Sequence, residues 1–197
     1  MERFLTFCAV ALVCVGVLVC GCISGGEPPP QPTLPPNEIA VDGIVTLDEY
    51  SGSARVDERM TVYWRVDGDI ITMAVVARTE GMVAVGFGAT VGMRDADMVI
   101  GWASDTGMAF FDAYSTGTTG PHPPDEELGG TYDLIEANAT EQDGYTTLEF
   151  SRALVTGDPY DAELPASGEL RLIWALGKDD DFSAQHVARG AATLLME

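Results

Sequence analysis

Beyond its first 22 residues this 197-residue chain has no cysteine, because all four, Cys8, Cys14, Cys20 and Cys22, stand at the N-terminus. The remainder therefore has no thiol for a disulfide, a thiolate metal site or an iron–sulfur cluster. CxxCH, the pattern of covalent haem attachment, is missing as well. Basic residues are scarce: 10 Lys and Arg stand against 31 Asp and Glu, Lys178 is the only lysine, and the formal charge is −21. Such a surface repels phosphate backbones and anionic lipid, which excludes nucleic acid as a partner. There is no GxSxG, no HExxH and no phosphate-binding glycine loop, so the chain is expected not to be an enzyme. Histidine is nearly absent too, with only His122 and His186.

What is present begins with a leader. Arg3 precedes the uncharged run FLTFCAVALVCVGVLVC, after which the chain turns to GCISGGEPPPQPTLPPN. A short basic region followed by an apolar one reads as a secretion signal; its length, close to the roughly 20 residues of a membrane helix, leaves a retained anchor as the alternative. VCGCISGG resembles the lipobox of prokaryotic lipoproteins, although Cys20 stands where a smaller residue is commoner. That resemblance implies lipidation of Cys22, which would become the new N-terminus. Either way the domain is tethered to a membrane outside the cytoplasm. Residues 1–22 are thus read as leader and 23–38 as a proline-rich, extended spacer. Residues 39–197 are the domain. Its sequon at Asn138 suits glycosylation of an exported protein.

Within the domain short apolar stretches alternate with turn residues, and sustained helical periodicity is missing, which predicts an all-β fold. MTVYWRV and DIITMAVVART flank DGD, a hairpin turn. GMVAVGFG, DMVIGWAS and GMAFFDAYS follow, then a long loop around His122. TYDLIEANATE and YTTLEFSRAL are joined through QDG, and GELRLIWALG and HVARGAATLL complete the set. TLEFS alternates, with Leu148 and Phe150 on one face and Thr147, Glu149 and Ser151 on the other. LRLIWAL is apolar on almost both faces and reads as a central strand covered on each side. Strands at this spacing predict an antiparallel two-sheet β-sandwich in a single domain.

The segment GATVGMRDADMVIGW carries the strongest signal. With YWRVDGDIITMAVVARTEGMVAVGFG before it, FFDAYS and TGDPYD after it and the closing H..RG, it resembles the DOMON family over roughly residues 40–197. The resemblance implies an immunoglobulin-like β-sandwich, found in secreted or surface proteins, that binds haem b or sugars. In the haem-binding branch, which includes the cytochrome domain of cellobiose dehydrogenase, a methionine and a histidine hold the iron. The matching residues are Met93 and His186. They imply a haem-iron centre with both axial positions filled, suited to electron transfer between an unidentified donor and acceptor at the cell surface.

Rival assignments are open at this point. His122, in PHPPDEE, is expected to face water. Met82, Met98 and Met108 are expected to fill the core. Gly86, Gly88 and Gly92 would let backbone approach a macrocycle, or simply serve turns. Arg94 and Arg189 would pair with haem propionates or lie on the surface. The run KDDD at 178–181 lacks the spacing of a calcium loop. The alternative function is a carbohydrate-binding module using Trp64, Trp102 or Tyr114, and a third is a structural surface domain.

Overall fold

A computed structural model describes residues 39–46, 48–183 and 185–197. The leader, the spacer and Cys22 lie outside these. Ten strands form two antiparallel five-stranded sheets. In the first sheet the order is β1 (Gly52–Asp57), β2 (Met60–Asp67), β3 (Ile70–Ala77), β8 (Tyr145–Ala153) and β7 (Leu134–Gln142). In the second it is β10 (Ala188–Met196), β9 (Gly168–Leu176), β4 (Val83–Phe87), β5 (Asp97–Ser104) and β6 (Gly107–Tyr114). The expected sandwich is therefore present. Both turns read from the sequence close hairpins. Gly68 at φ +59° links β2 to β3, and Asp143 and Gly144, at +55° and +79°, link β7 to β8. Two consecutive positive φ values twist a two-residue turn in the sense that antiparallel strands need.

The sheets bury one continuous core between them. From the first come Met60, Val62, Ile71, Met73, Val75, Leu148 and Phe150, and from the second Val83, Val85, Phe87, Leu172, Leu176 and Leu194. Each large apolar side chain buried in this way contributes roughly 1.5–3 kcal/mol. Trp64 belongs to the core, only 4% exposed, so it is no sugar platform. Gly52 makes room for it: a Cβ at that position would stand 2.2 Å from the indole.

LRLIWAL lies in β9, an inner strand paired with β10 on one side and β4 on the other, as expected. Its outer face lines a cleft rather than packing under a further layer. In β8 the face carrying Glu149 is not solvated: Glu149 is fully buried and accepts the Asp42 and Gly43 amides, each at 2.8 Å, and the Tyr50 hydroxyl. The segment before β1 thus folds over the sheet, and it does so on a buried carboxylate. Strand β1 and the one-turn helix α1 (Asp125–Leu128) were not foreseen, being too short or too mixed for a periodic signal.

Candidate functional site

The outer face of the second sheet is hollowed by small residues. Ala84 and Gly86 on β4 lie between Met98 and Ile100 on β5 and Ile173 and Ala175 on β9. A Cβ at Gly86 would come within 3.0 Å of Ile173 and 3.2 Å of Met98, so the floor is set by what is missing there. The result is a cleft of about 640 Å³, within the roughly 300–1,000 Å³ of a cofactor-sized site. An adjoining hollow shares Gly86, Ala89, Arg171, Ile173 and Ala191.

Met93 reaches the cleft from the β4–β5 loop, which is held at both ends. The Met93 amide donates to Thr118 O at 3.1 Å, and its carbonyl accepts the Ala96 amide at 3.0 Å. Gly92 has φ +63°, and a Cβ there would stand 2.5 Å from Thr118 O. Only glycine lets the two loops meet so closely. Asp95, also at positive φ, accepts the Thr90 hydroxyl at 2.6 Å and the Tyr114 hydroxyl at 3.3 Å. Met93 is half-buried beside the cluster of Met82, Met98 and Ile100.

His186 enters from the β9–β10 loop, whose end is fixed by the Val187 amide on Leu176 O at 2.9 Å. Burial, then the nearby His122 and Arg189, hold its pKa below the usual histidine value. The imidazole is therefore neutral at pH 7, with a nitrogen lone pair available to a metal.

The structure brings Met93 and His186 into one cleft with Arg189, and adds residues that were not assigned to it. His122 is the main correction. Its proline-rich loop folds back along β6, with the Tyr114 amide on Pro123 O at 3.1 Å, instead of projecting into water. His122 lines the cleft, its Nδ1 is buried without a partner among the described residues, and its ring meets Phe182 edge-on at 5.1 Å. Phe182 in turn meets Phe111 at 4.5 Å and Phe111 meets Trp102 at 5.4 Å, a row of rings leading away from His122. Arg171 on β9 was also missed; its signal was a charge set within the otherwise apolar run LRLIWAL. Met82 and Met98 are buried as expected but against the cleft, whereas Met108 is 50% exposed and is not core. Arg94 is exposed and outside the lining. Trp102 and Tyr114 are half-buried against Phe111 and Tyr160. Asn138 sits half-buried in edge strand β7.

Comparison with known proteins agrees with this architecture. The profile of the DOMON domain matches residues 56–177. DBH-like monooxygenase protein 1 of Mus musculus is 32% identical over 119 residues, covering 60% of this chain and 18% of the mouse protein. MOXD1 homolog 1 of Drosophila melanogaster is 28% identical over 131 residues, covering 62% and 18%. The chain thus spans less than a fifth of the length of these relatives. Among solved structures, the cytochrome domain of Myriococcum thermophilum cellobiose dehydrogenase superposes with a TM-score of 0.53 at 13% identity, covering 70% of this chain and 75% of that one. The cytochrome b domain of pyranose dehydrogenase from Coprinopsis cinerea gives 0.50 at 14% identity, covering 68% and 75%.

Proposed function

The chain belongs to the DOMON family, and on that premise we propose that it is an extracytoplasmic, membrane-anchored module that binds haem b non-covalently and passes single electrons, with no turnover of its own. One observation carries the reading: Met93 and His186, on loops from opposite sides of β4, line the same cleft. The residues around them suit a flat, mainly apolar macrocycle with two carboxylates. The floor of Ala84, Gly86, Ile100 and Ile173 excludes water and admits close approach, and the unpartnered Nδ1 of His122 leaves a polar atom for an occupant. Arg171 and Arg189 supply the only formal positive charges in the lining, in a protein with few of them, and would hold the propionates.

In this assignment the Met93 thioether and the His186 imidazole would hold the iron. Haem b would supply a one-electron couple, and two protein ligands to the iron would disfavour binding of dioxygen or substrate there. The protein's part is positional. Gly92 and Thr118 hold the Met93 loop, and a neutral His186 offers its lone pair. The leader, with Cys22 lipidated or the apolar run retained, would keep the module at the membrane beside its redox partners.

The test is the visible spectrum of the full chain after haem reconstitution. A low-spin spectrum is expected that survives His122→Ala and is lost in His186→Ala. Met93→Ala should admit carbon monoxide to the reduced protein. A protein that stays colourless, with saturable polysaccharide binding lost on truncating Trp102, would replace this reading with the carbohydrate module. A low-spin spectrum lost with His122 rather than His186 would move the nitrogen ligand to the proline-rich loop.

A further inference from the structure

On the core side of β5, behind the cleft, four aspartates converge at one end of the sandwich. Asp97 comes from β5 and Asp112 from β6, on the inner face of the second sheet. Asp161 comes from the β8–β9 loop and Asp125 from α1. Asp97, Asp112 and Asp125 are 0%, 3% and 0% exposed, and the Asp161 side chain is 2% exposed. A single cation faces them from the opposite sheet. Arg152 Nη1 lies 2.6 Å from Asp97 Oδ2, and Nη2 lies 3.2 Å from Asp161 Oδ2. With all four ionised, one guanidinium would leave three negative charges out of water, an arrangement that costs several kcal/mol per ion when uncompensated.

Hydrogen bonding does not compensate it. Asp97 Oδ2 also accepts the Ala162 amide at 2.9 Å, and Asp112 Oδ2 accepts the Asp133 amide at 2.7 Å. Asp97 Oδ1, Asp112 Oδ1 and both oxygens of Asp125 are buried with no partner among the described residues. Buried polar atoms in native proteins are nearly always paired, so four orphaned oxygens in one place call for an occupant. Their spacing suits one. Oxygens from Asp97, Asp112 and Asp161 lie within 4.8 Å of one another, the greatest separation two oxygens can have when each binds one ion at about 2.4 Å.

We propose that Asp97, Asp112 and Asp161, with Asp125 beside them, bind one calcium ion that ties β5, β6, α1 and the β8–β9 loop together. An all-oxygen, carboxylate-rich, irregular ligand set suits calcium, whereas magnesium demands octahedral geometry and retains water. Burial pushes the carboxyls of Asp97, Asp112 and Asp125 up to about 6, about 7 and about 8; Arg152 opposes this at Asp97, the Asp133 amide opposes it at Asp112, and at Asp125 the other aspartates add to it. The site is separate from the cleft: Met98 and Ala113 face outward beside Asp97 and Asp112.

The experiment compares melting of the EDTA-treated full chain in calcium, magnesium and sodium chlorides at matched ionic strength. Matching is needed because a charge of −21 responds to any salt. At a hundredfold excess over Kd, calcium should raise the melting temperature by roughly 5–10 °C beyond the other salts. Equilibrium dialysis of the unsubstituted chain in 0.15 M NaCl should find about one tight calcium per chain. Asp112→Asn and Asp125→Asn should melt higher than the unsubstituted chain in EDTA and lose the calcium increment, while Asp180→Asn, in the exposed acidic run, should keep it. No tight calcium in dialysis overturns the proposal, as does an increment that persists in both cluster variants.

Discussion

At the scale of single residues the cleft depends on positions where a side chain is absent. Gly92→Ala must put a Cβ 2.5 Å from Thr118 O at φ +63°. It should cost about 1–3 kcal/mol and release the loop that carries Met93. Melting of the apoprotein and its haem affinity should fall together, where a purely structural defect would lower only the first. His186 provides a pH signature. Its folded pKa lies below the ordinary value of 6.5, so the folded state binds fewer protons than the unfolded one. The stability linked to that difference is complete above pH 6.5 and is lost as the pH falls below it. Denaturant titrations of the apoprotein between pH 7.5 and 5 should show this loss, and His186→Phe should flatten it.

At the scale of elements, β8 holds the sandwich together from both faces. Leu148 and Phe150 point into the core, and Arg152 reaches across it to Asp97 and Asp161. Glu149 points the other way, under Asp42, Gly43 and Tyr50. Arg152→Ala leaves buried carboxylates with no guanidinium, and a loss of roughly 3–5 kcal/mol is expected in chemical denaturation. Glu149→Ala strands two amides and a hydroxyl that it now accepts. A loss of about 2–4 kcal/mol is expected, with faster hydrogen exchange at the Asp42 and Gly43 amides and little change at β9, which does not touch that segment. Strand β5 has an equally divided role, with Met98 and Ile100 facing the cleft and Asp97 and Val99 facing the core.

At the scale of the whole molecule, charge is the dominant feature. A net −21 on 197 residues opposes compaction through self-repulsion, and salt screens it. Raising sodium chloride from 20 mM to 500 mM should therefore raise the melting temperature, by roughly 2–4 °C for each kcal/mol of repulsion removed. The same field should favour a cationic redox partner, with association slowing as salt rises. Stopped-flow mixing of the reconstituted protein with a cationic and an anionic electron donor would measure this, and equal salt slopes for the two would count against electrostatic steering.

The β-sandwich was legible in the sequence because strands announce themselves locally. A period of two, turn residues such as DGD and QDG, and the absence of helical periodicity all act over a few neighbours. Composition likewise shows, without reference to any fold, that every cysteine lies in the first 22 residues and that acidic residues far outnumber basic ones. Met93 and His186 could be named because short motifs around them resemble a family. Which other residues share their cleft was decided by distance through space. His122 was assigned to water because proline and acidic neighbours favour exposure, and only the return of its loop along β6 brought it inside. Glu149 and the four aspartates follow the same logic. A charged side chain reads as solvated until another element covers it, and what covers Glu149 is a segment 99 to 107 positions away in the chain. Local pattern fixes which face of a strand a residue occupies; tertiary packing decides whether that face meets water, a core or a ligand.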